Sequence, residues 1–201
     1  MSSPRIQKLI SLLVKLPGLG PRQAGRLIYH ILDKERNFAA EIAENISKIH
    51  EVKRCALCYQ AHEEAGQNCA ICTSSSRDKG ILLIIEKDTD LDTLEKTGVY
   101  NGRYFVLGGV ISPLQQESRK RLRLKELVNR VSSEKTVKEI VIGTSSTAEG
   151  DLTGRYIEKI LEPYIAKENT KITRLGRGLS TGIELEYSDL DTFKNAYLNR
   201  K

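Results

Sequence analysis

Cys55-Ala56-Leu57-Cys58 and Cys69-Ala70-Ile71-Cys72 hold the only four cysteines of the chain, as two C-x-x-C pairs with ten residues between them. A C-x-x-C turn aims two thiolates at one ion, and a second turn across a short loop completes a closed tetrahedral set, so the spacing predicts a four-cysteine zinc site. Four thiolates leave no position for a substrate water, which makes the expected Zn2+ structural. His62 lies between the pairs and could replace a cysteine as ligand, but four cysteines already suffice. The chain opens without an apolar leader, and free thiols fit a reducing cytoplasmic setting better than disulfides do.

The zinc segment is too short to bury much apolar surface by itself, so 201 residues with this element near one quarter of their length predict a modular chain. No stretch approaches the roughly 20 apolar residues of a membrane span. The net charge of +6 is unevenly placed. Arg5, Lys8, Lys15, Arg22 and Arg26 precede Leu32 with no acidic residue among them, whereas residues 80–201 hold 20 basic and 18 acidic side chains. An anionic partner is expected to meet the amino-terminal end first.

On that side of the cysteines, Ile6, Leu9, Ile10 and Leu13 form a helical stripe ending near Leu16. Pro17-Gly18-Leu19-Gly20-Pro21 then makes a tight turn, for which both glycines are read as able to take positive φ. A second helix carries Ala24, Leu27, Ile28 and Ile31, with Pro21 at its first position. A third, capped by Asn37, places Phe38, Ile42, Ile46 and Ile49 over the pair. The stretch Leu16 to Ala24 resembles the helix-hairpin-helix motif, which holds DNA by its backbone. Gly18 and Gly20 would let backbone amides approach a phosphate, with Arg22 and Arg26 beside them. The same turn could be purely architectural.

On the other side the pattern becomes strand-like. Ile81 to Ile85 reads as a strand buried on both faces and ended by Glu86. A short acidic helix (90–96), a strand (104–107), a helix from Gln115 to Val131, a strand (140–142), a helix from Thr153 to Ala166 and a strand (171–175) follow, which predicts a parallel sheet with covering helices. Functional groups in such sheets sit at the carboxyl ends of strands, where Glu86 and a loop bearing Glu149 and Asp151 are expected to converge. One Glu after a strand and an acidic-x-acidic pair after a later one resemble the Toprim domain, in which the cluster holds Mg2+. Equally, Glu149 and Asp151 could simply favour the start of a helix. The cations Arg119, Lys120, Arg121, Arg123 and Lys125 read as a solvated helix face, although they could supplement the front module in gripping phosphate, and no phosphate-cradling G-x-x-x-x-G-K-[ST] is present.

Taken in order, the hairpin, the four cysteines, the Toprim-like acids, Gly102-Arg103-Tyr104-Phe105-Val106-Leu107, Ile111-Ser112-Pro113-Leu114 and a closing G-L-x-x-G-x-x-L-E-Y segment (178–187) resemble the bacterial RecR family over essentially the whole chain. The resemblance implies a multidomain α+β protein: a helix-hairpin-helix DNA-binding module (1–53), a zinc finger (54–76), an α/β Toprim domain with a parallel sheet (77–172) and a carboxy-terminal Walker-B-like segment and helix (173–201). It implies a DNA-binding scaffold in recombinational repair that is not an enzyme. Such a protein would form a homo-oligomer, a dimer or ring-like tetramer, and act with RecO and RecF at gapped DNA to promote recombinase loading. The sequence departs from the family at Gln115-Gln116-Glu117-Ser118, where a G-x-G-P element is usual, and at Ser180-Thr181, where proline-valine is frequent. The competing readings are a Mg2+-dependent nuclease or topoisomerase-like enzyme built on Glu86, Glu149 and Asp151, and a zinc-knuckle RNA-binding module.

Overall fold

The computed structural model describes residues 3–115, 117–168, 170–182 and 184–200, the side chains of residues 166–168 excepted. The chain divides into two compact units, Met1–Val52 and Lys53–Lys201. Among the described residues no helix is long and apolar enough to cross a membrane.

The first unit is helical: α1 (Pro4–Leu13), α2 (Pro21–Leu32) and α3 (Arg36–Ser47), followed by one 3-10 turn at Ile49–Glu51. Helix α1 stops three residues before Leu16, and the chain leaves it through the Lys15 and Leu16 amides, which bond the carbonyls of Leu12 and Leu13. Of the expected α2 stripe, Ala24 and Ile28 are buried and Leu27 is exposed. The expected cover by α3 is only partial: its N-cap is Glu35 rather than Asn37, it buries no residue fully, and Ile42 alone of the expected stripe is half-buried. Phe38, Ile46 and Ile49 stay exposed, as do Leu9, Leu12 and Leu16.

The second unit opens with a two-stranded antiparallel hairpin, β1 (Lys53–Arg54) and β2 (Ala61–His62), and the single turn α4 (Ala70–Thr73). Strands β3 (Asp78–Ile85), β4 (Gly102–Val106), β5 (Glu139–Gly143) and β6 (Lys171–Arg174) form one all-parallel sheet in the order β4-β3-β5-β6. The crossovers are α5 (Asp88–Thr97), α6 (Ser118–Arg121) with α7 (Leu124–Ser133), and α8 (Ala148–Glu168), and α9 (Leu190–Leu198) follows. Leu82, Ile84, Phe105, Ile140 and Ile142 face α7 and α8 through Leu127, Ile157 and Leu161, while Leu83, Ile85, Tyr104 and Val106 pack with Leu91 of α5 on the other face. Burial on both faces explains why β3 reads as an unbroken apolar run rather than an alternating one.

Three expected elements are corrected. The helix expected from Gln115 to Val131 is broken after Arg121, because Leu122 and Arg123 turn inward to complete the end of β4: the Arg123 amide donates to the Leu107 carbonyl (3.0 Å) and its Nη1 to the Val106 carbonyl (2.8 Å). Gln116, in the same stretch, lies outside the described residues. Helix α8 begins at Ala148, five residues before the expected Thr153, so Glu149 and Asp151 belong to its first turn and not to a loop. There the positive end of the helix dipole favours them. The closing G-L-x-x-G-x-x-L-E-Y segment, read as a glycine-rich loop leading into a strand that bears Glu184 and Glu186, instead ends in one 3-10 turn at Leu185–Tyr187, with Ile183 outside the described residues. Glu184 and Glu186 stand exposed there, which removes the strand a Walker-B-like acid would end.

Gly150 is required by close approach: a Cβ at this position would run into the Ser145 carbonyl oxygen. Gly150→Ala is therefore expected to push the 144–147 loop away from α8 and to destabilise the sheet-bearing unit by about 2 kcal/mol or more, read as a lower denaturant midpoint at unchanged slope.

Candidate metal centre, acidic cluster and nucleic-acid interface

The four cysteine sulfurs lie within 4.8 Å of one another and all four residues are buried. They are free thiols, with Cys58 and Cys69 Sγ 3.5 Å apart. Zinc–sulfur bonds of about 2.3 Å put tetrahedral ligands about 3.8 Å from one another, so the set fits one such divalent ion. The backbone begins the ligand shell: the Cys69 amide points at Cys55 Sγ (3.4 Å). Contact with Cys69 pushes the Cys58 thiol up, and contact with Cys58 pulls Cys69 down. A bound ion would be coordinatively closed, contributing folding energy rather than chemistry. His62 is buried outside the set, with Nδ1 2.5 Å from Glu64 Oε2.

The knuckle is built onto the sheet. Tyr59 takes a left-handed conformation (φ 64°), which closes the first C-x-x-C turn and lays its ring edge-on to Phe105 at 5.5 Å. The Val106 amide donates to the Cys58 carbonyl at 2.8 Å. Asp88 accepts from Arg54 and from the Ala61 amide. Burial alone would raise the Asp88 carboxyl, but those two donors outweigh it and hold it below the ordinary aspartate range. At the centre stands Glu134, which accepts Arg103 Nη1 (2.5 Å) and Arg130 Nε (3.1 Å). Each arginine then reaches the knuckle: Arg130 Nη1 donates to the Leu57 carbonyl (2.6 Å) and to Tyr104 (3.0 Å), and Arg103 Nη2 to the Cys72 carbonyl (3.4 Å). One carboxylate thereby orients the donors that hold both C-x-x-C turns. The Arg130–Glu134 half of this latch has helical i,i+4 spacing that the sequence shows, but nothing in the sequence points to Arg103.

The acidic cluster sits where the strand order reverses between β3 and β5, the usual binding crevice of a parallel sheet. The expected convergence on an ion is not seen: among the described residues, the cysteines are the one set of three or more Cys, His, Asp or Glu side chains close enough to share a metal. Glu86 is buried, and its Oε1 accepts the Ser145 amide at 2.6 Å. Both Asp151 oxygens accept from the Arg177 guanidinium, and Arg174 Nη1 lies 3.6 Å away. The Arg177 hydrogen bonds hold the Asp151 carboxyl below the usual range. Arg174 itself is clamped by Glu158, at 2.8 and 2.9 Å. Glu149 is half-buried, and its carbonyl receives the Thr153 hydroxyl at 2.7 Å. Arg174 ends β6 and Arg177 follows it in a stretch that reads in sequence as a plain glycine turn, so neither stands out there as a site residue.

In the hairpin, Gly18 has φ 79°, a conformation that suits glycine. Gly20 is extended instead, so of the two glycines read as able to take positive φ only Gly18 does so. The Leu19 amide bonds the Leu16 carbonyl (3.3 Å) and the Gly20 amide bonds Gln23 Oε1 (2.9 Å). No side chain caps the start of α2, so the first-turn amides of Arg22 and Gln23 are the open donors. Arg22 and Arg26 are exposed and carry no ion pair among the described residues.

Two family models match the chain: "RecR, helix-hairpin-helix" over residues 6–50 and "Toprim domain" over residues 80–176. Proteins named Recombination protein RecR are similar throughout. That of Desulfatibacillum aliphaticivorans is 38% identical, covering 98% of this chain and 96% of its own length. Those of Treponema pallidum (37%; 98% and 96%) and Clostridium perfringens (38%; 97% and 95%) are comparable.

Glu134→Gln removes the charge that orients Arg103 and Arg130 while keeping its shape. Metal transfer from the loaded protein to a chromogenic chelator is expected to accelerate at least several-fold, with a stability loss of about 3 kcal/mol from the two uncompensated guanidinium groups. Unchanged transfer would dissociate the latch from the metal centre.

Proposed function

The chain belongs to the RecR family of recombination proteins, and from that premise we propose that it is a sequence-independent DNA-binding scaffold of recombinational repair, held together by structural Zn2+ and without catalytic activity. It acts at gapped DNA with RecO and RecF to promote recombinase loading. The observation that carries the reading is the pair Arg22 and Arg26, exposed and unpaired on the first turns of α2 beside open backbone amides. Charge held ready in this way suits phosphate oxygens rather than base edges. A phosphate that approaches the Gly20 amide displaces the Gln23 side chain, which now occupies it.

Two further observations support the scaffold over the enzyme. Asp151 is satisfied by Arg177 and Glu86 by a backbone amide, so the acids of the sheet meet protein donors. On this reading the cluster positions the carboxy-terminal loop and offers Glu149 to protein partners. The apolar side chains that α1 and α3 leave exposed supply a surface for a second copy of the chain, consistent with a dimer or ring that encloses DNA.

Arg22→Ala/Arg26→Ala is expected to weaken binding to gapped duplex and to flatten the dependence of log K on log[salt] by about 2, since each lost phosphate contact removes about 0.9. Supercoiled and gapped DNA incubated with the protein and Mg2+ are expected to remain intact. Cleavage or relaxation that disappears in Glu149→Ala would instead establish the nuclease or topoisomerase-like reading.

A further inference from the structure

Residues 119–125 contain five cations and no acid. Their surroundings separate them into distinct roles. Arg123 is spent on structure: it donates to the Val106 carbonyl, lies 5.3 Å from the Tyr59 ring centre, and burial pulls its guanidinium down from its ordinary value. Lys120 pairs with Glu117 at 2.7 Å. Arg119 lies 4.8 Å from the Tyr156 ring centre, which restrains it without neutralising it. Arg121 and Lys125 are exposed and have no charged partner among the described residues.

The turn that carries them is held from beneath. Ser118 is buried and exchanges hydrogen bonds with the Ser112 backbone at 3.1 and 3.2 Å, and Leu122 is buried in the main core. With positions 118 and 122 turned inward, the residues between them face solvent on a fixed support. The turn anchored at both ends carries Arg119 and Arg121, and Lys125 follows on the first turn of α7 beside Leu124, which packs against the same core.

We infer that the α6–α7 turn is a second phosphate-contact surface, on the sheet-bearing unit, with Arg121 and Lys125 as its free charges and Arg119 as a restrained third. The partner is a nucleic-acid backbone. Contacts between proteins centre on apolar anchors seated in pockets, but within 119–125 both leucines turn inward and only cations are exposed. Backbone contact needs charge held in register and no apolar anchor. The inference rests on the DNA-binding reading above and adds a site to it.

The test compares full-length, metal-loaded wild type, Arg121→Ala/Lys125→Ala, Arg121→Lys/Lys125→Arg and Arg22→Ala/Arg26→Ala for binding to a labelled gapped duplex across a salt series. The alanine pair is expected to flatten the salt slope by about 1 to 2, with unchanged melting temperature, and the charge-preserving pair to keep the wild-type slope. A wild-type slope in Arg121→Ala/Lys125→Ala, together with a flattened one in Arg22→Ala/Arg26→Ala, overturns this surface alone. The same wild-type slope with lost capture of an acidic protein partner overturns it in favour of a protein contact. No salt-dependent binding by wild type overturns the hairpin reading and this one together.

Discussion

Four sulfurs packed within 4.8 Å of one another set the constraint on which the second unit depends. Residues 53–77 contain two strands of two residues each and one four-residue helical turn, with the sulfurs and Ile71 as their only apolar cluster. So little apolar surface does not repay the entropy of ordering the segment, but a structural zinc contributes roughly 10 to 16 kcal/mol in comparable small sites. The knuckle then completes the sheet. It caps the end of β4 through Cys58, seats Tyr59 on Phe105 and collects Arg103 and Arg130 around Glu134. The metal centre and the β3–β4 side of the sheet are in this sense one construction.

The acidic crevice follows a different logic. Its position at the switch point between β3 and β5 is where a parallel sheet collects ligands, yet its donors come from within the chain. Asp151 meets Arg177, Arg174 meets Glu158, and Glu86 holds the loop that precedes α8. The arrangement joins the carboxy-terminal glycine loop to the first turn of α8 by charge. A cation approaching Asp151 would compete with Arg177 for the same carboxylate oxygens. Arg22 and Arg26 on α2, and Arg121 and Lys125 beside the α6–α7 turn, stand exposed outside this crevice without an ion pair among the described residues.

Much of this was legible in the sequence, for identifiable reasons. The cysteine spacing encodes a local geometry with few alternatives, and the run Ile81–Ile85 marks a strand buried on both faces. The proline and glycine pattern of residues 17–21 marks the hairpin, though it gave no means of telling that Gly18 alone is left-handed. Boundaries set by tertiary bonds were hidden. The break at Leu122 and Arg123 exists because β4 needs partners at its end, and the early start of α8 depends on Gly150 fitting against Ser145. The closing segment that ends at Tyr187 finds no neighbouring strand to pair with among the described residues and stays a 3-10 turn. The Arg103–Glu134 arm of the latch and the Arg177–Asp151 pair join residues 31 and 26 positions apart, a separation that carries no periodic trace.

The claim that metal centre and sheet form one construction is tested most directly by hydrogen exchange at the Val106 amide, whose acceptor is the Cys58 carbonyl. Removing the metal with a chelator should collapse protection at Val106 together with the knuckle amides of Cys55 and Cys69, while Ile84 and Ile142 inside the sheet exchange more slowly. Full protection of Val106 in metal-free protein, with the knuckle amides alone exposed, would contradict the account.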